Sequence, residues 1–145
     1  MTSQLEAMQA ALAAEHAAIW AYGVIGTYAA ATRRPAVSAA EQTHRVRRDQ
    51  LETLIVAGSA IPNPGLAAYQ LPSPVTDPTS AIVVAGQIEE GLTAVWRFAL
   101  GNCDTSTTRV FALNALIDSS VQSLAWRQVI EGNAALLHPF PGQSA

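Results

Sequence analysis

One stretch near the start of the chain, residues 5–26, constrains the fold most, because it places a carboxylate on the apolar face of a predicted helix. Glu15 and Tyr22 share that face with apolar residues at three- and four-residue steps, the spacing of helices that pack together. Those residues are Leu5, Met8, Leu12, Ile19 and Gly26. A buried carboxylate must be paired, protonated or bound to a metal, because burying it alone is costly. The function therefore depends on what meets Glu15 and Tyr22 from the other helices.

The composition indicates a globular helical protein. The 145 residues are 50% hydrophobic and 13% charged, which argues against disorder and predicts one domain over residues 1–145. The net charge of −3, with eight basic residues, predicts no basic face for nucleic acid. We find no secretory-signal pattern, and Glu15 and His16 interrupt the longest apolar segment. We therefore expect a cytoplasmic protein that binds neither nucleic acid nor membrane.

Capping signals predict where the first two helices begin. The capping boxes Ser3-x-x-Glu6 and Ser38-x-x-Glu41 each supply side-chain acceptors for N–H groups that have no partner inside a helix. Pro35, which follows two arginines, is predicted to end the first helix. These signals place the first helix at about residues 4–32 and the second at about residues 39–57.

The second half of the chain carries similar signals. Gly58 ends the second helix, Asp77 before Pro78 opens a third helix at about residues 78–101, and Asp104 caps a fourth at about residues 105–131. Four prolines exclude a helix from the segment at residues 59–77. At about 3 Å per residue this segment is long enough to run the length of a bundle. The prediction is an all-α four-helix bundle with one long Pro-rich crossover between helices 2 and 3.

Other features of the helices and turns give further expectations. The tryptophans Trp20, Trp96 and Trp126 are predicted to lie in the core or at an interface. Cys103 is predicted to be an unactivated, exposed turn residue, and Phe140 to hold the C-terminal tail against the bundle. Apolar residues at helical spacing predict the face of the fourth helix that meets the core: Val110, Leu113, Ile117, Val121 and Leu124.

Several motifs together resemble a ferritin-like family of unknown function that is found mainly in actinobacteria. They are AAEHAAIWAYG at residues 13–23, HRVRRDxL at residues 44–51, AYxLP at residues 68–72, the pairs Glu89-Glu90 and Trp126-Arg127, and the closing Phe140-Pro141-Gly142. The resemblance covers nearly the whole chain and implies a ferritin-like four-helix bundle. It implies no activity, because the family is a domain of unknown function.

The wider ferritin-like group implies a di-iron site, with a glutamate on each of two helices and Glu-x-x-His on each of the other two. The chain offers Glu15, Glu41-x-x-His44, and either Glu89 or Glu90, but the fourth helix has no such motif. Counted from the predicted caps, Glu41 lies about 4 Å and Glu15 about 25 Å above the same end of the bundle. Ligands of one metal pair cannot be so far apart. We therefore predict no metal centre and no cofactor.

The same height count predicts a buried polar layer near the mid-plane. Its members are Tyr22, Arg48, Asp49, Glu89 and Asp118. An arginine can satisfy two carboxylates at once, so our hypothesis is that an arginine has replaced the metal charge. Glu15 is expected to meet Glu52 nearer the upper end, where His16 or His44 satisfies one of the two carboxylates.

Two functions stay open at this point. The favoured one is a metal-free ferritin-like bundle that is not an enzyme and acts through assembly or partner binding. A homodimer is expected, because its alanine-rich, weakly charged helices would otherwise expose apolar faces. The alternative is a di-iron or mononuclear oxidoreductase that uses iron or manganese. Its ligands would come from four residues: Glu15, His44, Glu52 and Glu89.

Overall fold

The computed structural model describes residues 2–137 and 139–143. Within them the chain forms four long helices and one 3-10 turn, with no strand. The helices are α1 (Gln4–Tyr28), α2 (Arg34–Ala57), α3 (Pro78–Gly101) and α4 (Ser106–Glu131), and the 3-10 turn is Gly132–Ala134. The predicted all-α four-helix fold is confirmed. None of these helices is long and apolar enough to cross a membrane.

The N-caps of α1 and α3 form where the sequence predicts them. At α1 the Ser3 hydroxyl accepts from the Glu6 N–H at 3.2 Å, and the Glu6 carboxylate accepts from the Ser3 N–H at 2.7 Å. At α3 the Asp77 carboxylate accepts from the Ser80 N–H at 2.7 Å. Backbone hydrogen bonds to Glu6 and Asp77 lower the pKa of both carboxyl groups. These caps satisfy N–H groups that the helices leave free.

Three predicted boundaries are wrong: the end of α1, the start of α2 and the cap of α4. Pro35 does not end α1 but lies in the first turn of α2, where the missing N–H of proline costs nothing. Ser38 therefore lies inside α2 and caps nothing, and Glu41 instead forms an ion pair with Arg45 at 2.6 Å. At α4 the cap is one residue later than Asp104, because the Thr105 hydroxyl accepts from the backbone one turn ahead.

The crossover at residues 59–77 is not helical and follows α1. The Gln9 side chain of α1 donates to the Ile61 carbonyl at 2.7 Å and accepts from the Asn63 N–H at 2.9 Å. About three turns further along α1, Trp20 lies against Tyr69 with ring centroids 6.2 Å apart. These contacts make the crossover a strap along one face of the bundle.

Buried apolar side chains form two clusters on either side of the middle of the bundle. The first includes Met8, Leu12, Leu51, Ile55 and Trp96. The second includes Tyr22, Ile25, Ile82, Val84 and Trp126. Trp96 and Trp126 are therefore core residues, as predicted. Polar side chains fill the space between the two clusters.

The helices do not close into a ring. Close backbone contacts join α3 to α4, α1 to α2 and α1 to α3, whereas α2 and α4 make almost none. The resulting cleft is lined from α2 by Ala40, Thr43 and Arg47 and from α4 by Asp118 and Gln122. We call this side of the bundle the open edge.

The predicted core face of α4 is wrong. Val110, Leu113, Ile117 and Val121 are between 42% and 57% exposed. The face that α4 buries is made instead of small and polar residues together with one aromatic: Ala112, Ala115, Ser119, Ser123 and Trp126. Small side chains let α4 pack closely on α3, and this orientation leaves the branched apolar residues exposed.

Two further expectations are also wrong. Cys103 is buried, with its Sγ 3.2 Å from the Ala99 carbonyl, and burial raises the pKa of its thiol. Phe140 is 68% exposed and does not anchor the tail. The backbone of the tail lies against α3 instead. Gly142, at a φ of 77°, lies so close to the backbone of Thr93 that a side chain would not fit.

Candidate functional site

Three buried ionisable side chains from three helices meet in the middle of the bundle. Glu15 of α1, His44 of α2 and Glu89 of α3 expose at most 2% of their surfaces. The Nδ1 atom of His44 lies 2.8 Å from Oε2 of Glu15, and its Nε2 atom lies 2.9 Å from Oε1 of Glu89. When both ring nitrogens carry a hydrogen, the ring is an imidazolium that donates to both carboxylates.

Arg47 adds a second cation one turn after His44 on the same face of α2. Its NH1 lies 3.2 Å from Oε1 of Glu15 and 3.4 Å from the Ser119 hydroxyl. Its NH2 lies 3.5 Å from Oδ2 of Asp118, at the rim of the cleft. We call Glu15, His44, Arg47 and Glu89 the charge cluster. Two cations thus face two carboxylates.

Aromatic donors complete the hydrogen bonds of the two carboxylates. The Tyr22 hydroxyl donates to Oε1 of Glu89 at 2.5 Å, and it accepts from the Trp126 indole N–H at 2.8 Å. The Trp96 indole N–H donates to Oε1 of Glu15 at 2.8 Å. All four helices therefore contribute to one hydrogen-bonded network, and such networks hold their members in one arrangement.

The surroundings shift three pKa values. Burial raises the pKa of Glu15, but the hydrogen bond and charge of His44, together with Arg47 and Trp96, outweigh it, so the net shift is downward. Burial lowers the pKa of His44, but hydrogen bonds to Glu15 and Glu89 outweigh it and raise the value to about 9. Burial and the charge of Glu89 raise the pKa of Tyr22 well above its usual value. Near neutral pH the ring of His44 is therefore charged and Tyr22 is a neutral donor.

The residues present do not fit a di-iron centre. Both nitrogens of His44 donate to carboxylates, so neither offers a lone pair, and the Arg47 cation already lies against Glu15. The fourth helix brings only Asp118, which is 64% exposed, in place of Glu-x-x-His. Within residues 2–137 and 139–143, no three histidine, cysteine, aspartate or glutamate side chains are arranged to hold a metal ion.

Of the residues considered as weak metal ligands, the structure brings three together. These are Glu15, His44 and Glu89. The expected meeting of Glu15 with Glu52 is wrong, because the hydrogen-bond partners of Glu15 are His44, Arg47 and Trp96. His16 contacts the crossover instead, with its Nε2 atom 3.2 Å from the Asn63 carbonyl.

Of the five residues of the predicted polar layer, the structure brings three together. Tyr22 and Glu89 are buried in the network, and Asp118 touches it from the rim. Arg48 and Asp49 were placed in this layer wrongly. They pair with each other at 2.8 Å, and Asp49 is largely exposed. The arginine that reaches the middle of the bundle is Arg47, one residue before Arg48.

No site role was predicted for Arg47, Trp96 or Trp126. The signal for Arg47 was its spacing, since it lies three residues after His44 and so on the same helix face. The indole donors had no comparable signal, because a tryptophan in a core pattern packs in the same way whether or not its N–H meets a carboxylate.

The charge cluster borders the cleft at the open edge. This cleft has a volume of about 370 Å³, and His44, Arg47 and Glu89 form part of its wall. Exposed apolar side chains flank it, with Val121 on α4 and Val46 on α2. A set of fixed charges thus lies just beneath a surface with an apolar border.

Comparison with known proteins agrees with the fold. The crystal structure of a conserved hypothetical protein, rv2844, from Mycobacterium tuberculosis is similar, with a TM-score of 0.85 and 32% sequence identity. The similarity covers 87% of this chain and 96% of that one. No protein of curated function matches the chain significantly. Residues 7–145 match the family described as "Domain of unknown function (DUF4439)", and the chain belongs to that family.

Proposed function

We propose that the protein is a metal-free, ferritin-like bundle that acts through assembly as a homodimer rather than as an enzyme. The observation that supports this most is the position of His44, whose imidazolium lies between two buried carboxylates. Ferritin-like proteins hold metal cations between carboxylates in the core of their bundles, and their helices are joined by one long crossover. The connectivity of this chain matches, and protein cations take the place of the metal charge.

A metal ion would have to overcome two costs at this site. Binding would require His44 to lose a proton and at least one of its hydrogen bonds to Glu15 and Glu89. The ion would also lie close to the guanidinium of Arg47, which is itself 3.2 Å from Glu15. A cation bound to Glu15 would therefore lie beside this guanidinium, and like charges repel strongly away from bulk water.

The open edge is the surface proposed for assembly. Val46 and Val121 are exposed on its two sides, Ile117 is exposed one turn before Val121 on α4, and groups of exposed apolar residues mark interaction surfaces. The polar side chains between them include three glutamines: Gln42, Gln50 and Gln122. A glutamine amide both donates and accepts hydrogen bonds, so it can pair with the same residue type in a second copy. A twofold dimer, in which the same surface of both copies meets, requires such self-complementarity.

A mononuclear iron or manganese oxidoreductase is the second candidate. The observation in its favour is that Glu15 and Glu89, both possible ligands, each lie within hydrogen-bond distance of His44, a third. Glu52 is not part of this group.

Elemental analysis and a size measurement separate the two candidates. Untagged protein from medium supplemented with iron and manganese is expected to carry both metals at background level and to sediment as a dimer. Near-stoichiometric metal that is lost in Glu89→Ala would contradict the metal-free proposal. A monomer at micromolar concentration would contradict the assembly proposal.

A further inference from the structure

The outer face of α4 carries an exposed apolar stripe. Its members lie opposite the buried face of this helix, at three- and four-residue steps: Val110, Leu113, Ile117, Val121 and Leu124. The first four are between 42% and 57% exposed. Val121 also lines the cleft, so the stripe is continuous with the open edge. Exposed apolar residues grouped in this way mark an interaction surface.

The spacing of the stripe is the same in both directions from Ile117. Leu113 and Val121 lie four residues from it, one on each side. Val110 and Leu124 lie seven residues from it, again one on each side. A twofold interface brings the same surface of both copies together, so each contact between two different residues occurs twice. In an antiparallel pair with the axis at Ile117, every apolar residue of the stripe therefore faces an apolar residue of the second copy.

The charges on α4 do not oppose this pairing. Between residues 110 and 124 the sequence has one charged residue, Asp118. Its carboxylate lies on the cleft side of α4, 3.5 Å from NH2 of Arg47. The stripe itself is uncharged, so two copies of it meet without burying an unpaired charge.

The size of this face agrees with a contact between two helices. With 26 residues, α4 is about 39 Å long. A strip of this length and about 10 Å wide has an area of about 400 Å², half of the roughly 800 Å² that each partner buries in a standard interface. The open edge, which adjoins the stripe at Val121, is the surface available for the rest.

We propose that two copies of the chain pair through an antiparallel contact between their α4 helices, with the twofold axis at Ile117. This inference rests on the proposed homodimer and specifies which residues meet in it. Because the axis passes by Ile117, this residue lies at the closest approach of the two helices at any crossing angle. Packed helices lie about 8–10 Å apart, so the two Ile117 Cα atoms come within about 5 Å, a separation that a disulfide spans.

Disulfide cross-linking tests this arrangement. Each variant is made in a Cys103→Ala background, which removes the one native cysteine. Ile117→Cys is expected to form a cross-linked dimer under mild oxidation with diamide. Val110→Cys is the matched control on the same stripe, because its two copies would lie about 21 Å apart along the helices. Non-reducing electrophoresis should show cross-linking at least tenfold slower for Val110→Cys, and circular dichroism checks the fold of both reduced variants.

A mixed pair of variants tests the same arrangement with Ile117 intact. Leu113→Cys and Val121→Cys, coexpressed with tags of different size, are expected to cross-link with each other. Each variant alone should cross-link at least tenfold more slowly, because its two copies would lie about 12 Å apart along the helices.

The outcomes separate this arrangement from the homodimer itself. Equal cross-linking of Ile117→Cys and Val110→Cys would overturn the antiparallel arrangement, since a parallel pair predicts both. If the wild type sediments as a dimer but neither Ile117→Cys nor the mixed pair cross-links, the arrangement is wrong and the homodimer stands. A wild-type monomer at micromolar concentration would overturn both.

Discussion

The imidazole of His44 lies 2.8 Å from the carboxylate of Glu15, and both side chains are almost completely buried. This contact joins α1 to α2 at the level where the apolar core is interrupted. Its partner contact to Glu89 joins α2 to α3, so one ring connects three helices. An ion pair buried in this way need not stabilise the fold more than apolar packing would, but losing one partner is strongly destabilising.

We therefore expect His44→Ala to lower the free energy of unfolding by about 3–5 kcal/mol. The substitution leaves the carboxylates of Glu15 and Glu89 buried without the cation between them. Urea denaturation at fixed protein concentration measures the change. His16→Ala is the matched control, because its ring meets the Asn63 carbonyl on the strap, and it is expected to cost about 1 kcal/mol. Equal losses for the two variants would contradict a special role of His44.

The stability should also depend on pH through His44. Its pKa is about 9 in the folded protein and near its usual value of 6.5 when unfolded. A raised pKa stabilises the fold fully below pH 6.5, and the contribution is lost as pH rises through about 9. The loss amounts to about 3 kcal/mol. Urea midpoints of the wild type should fall between pH 6 and pH 10. If the midpoints of His44→Ala fall by the same amount, a group other than His44 causes the pH dependence.

Arg47 and Arg48 are adjacent in sequence and differ in surroundings, which makes them a matched pair. Arg47→Gln removes the second cation from Glu15, and we expect it to cost about 3 kcal/mol. Arg48 pairs with the exposed Asp49, so Arg48→Gln should cost at most about 0.5 kcal/mol. Thermal or urea unfolding of both variants under one set of conditions measures the difference. A larger loss of stability for Arg48→Gln than for Arg47→Gln would mean that Arg48 is the buried cation, as the sequence predicted.

The sequence predicted the number and order of the helices because caps, prolines and apolar spacing are local signals. Ser3, Asp77 and Gly58 each act where they were predicted to act. The first turn of α2 was missed because Pro35 is compatible both with ending one helix and with opening the next. Only the tertiary structure decides between these two possibilities.

That boundary error explains the misplaced site. With α1 ending at Tyr28 and α2 beginning at Arg34, the same count puts Glu15 about 20 Å and His44 about 15 Å above the same end. The two residues then lie at nearly one level, where their side chains meet. The buried face of α4 was misassigned for a different reason. Four branched apolar residues on one face give a stronger hydrophobic periodicity than the serines and alanines on the face that is buried.

Tyr22→Phe tests the aromatic part of the network. The substitution removes one donor to Glu89 and the acceptor of the Trp126 indole N–H. We expect a loss of about 1–3 kcal/mol, because a buried donor is left without a partner. Tyr28→Phe is the control, since Tyr28 is exposed at the end of α1, and it should change the free energy of unfolding by at most about 0.5 kcal/mol. Similar midpoints for the two variants would show that the Tyr22 hydroxyl is dispensable.

Val121→Asp tests assembly at the open edge. Val121 is more than half exposed beside the cleft, so a charge there costs little in a single copy but would be buried without a partner in the proposed dimer. We expect sedimentation velocity to show a dimer for wild type and a monomer for Val121→Asp. Phe98→Asp is the control, because Phe98 is an exposed apolar residue of α3, and it should remain dimeric. A dimer that survives Val121→Asp but is lost in Phe98→Asp would move the interface from the open edge to α3.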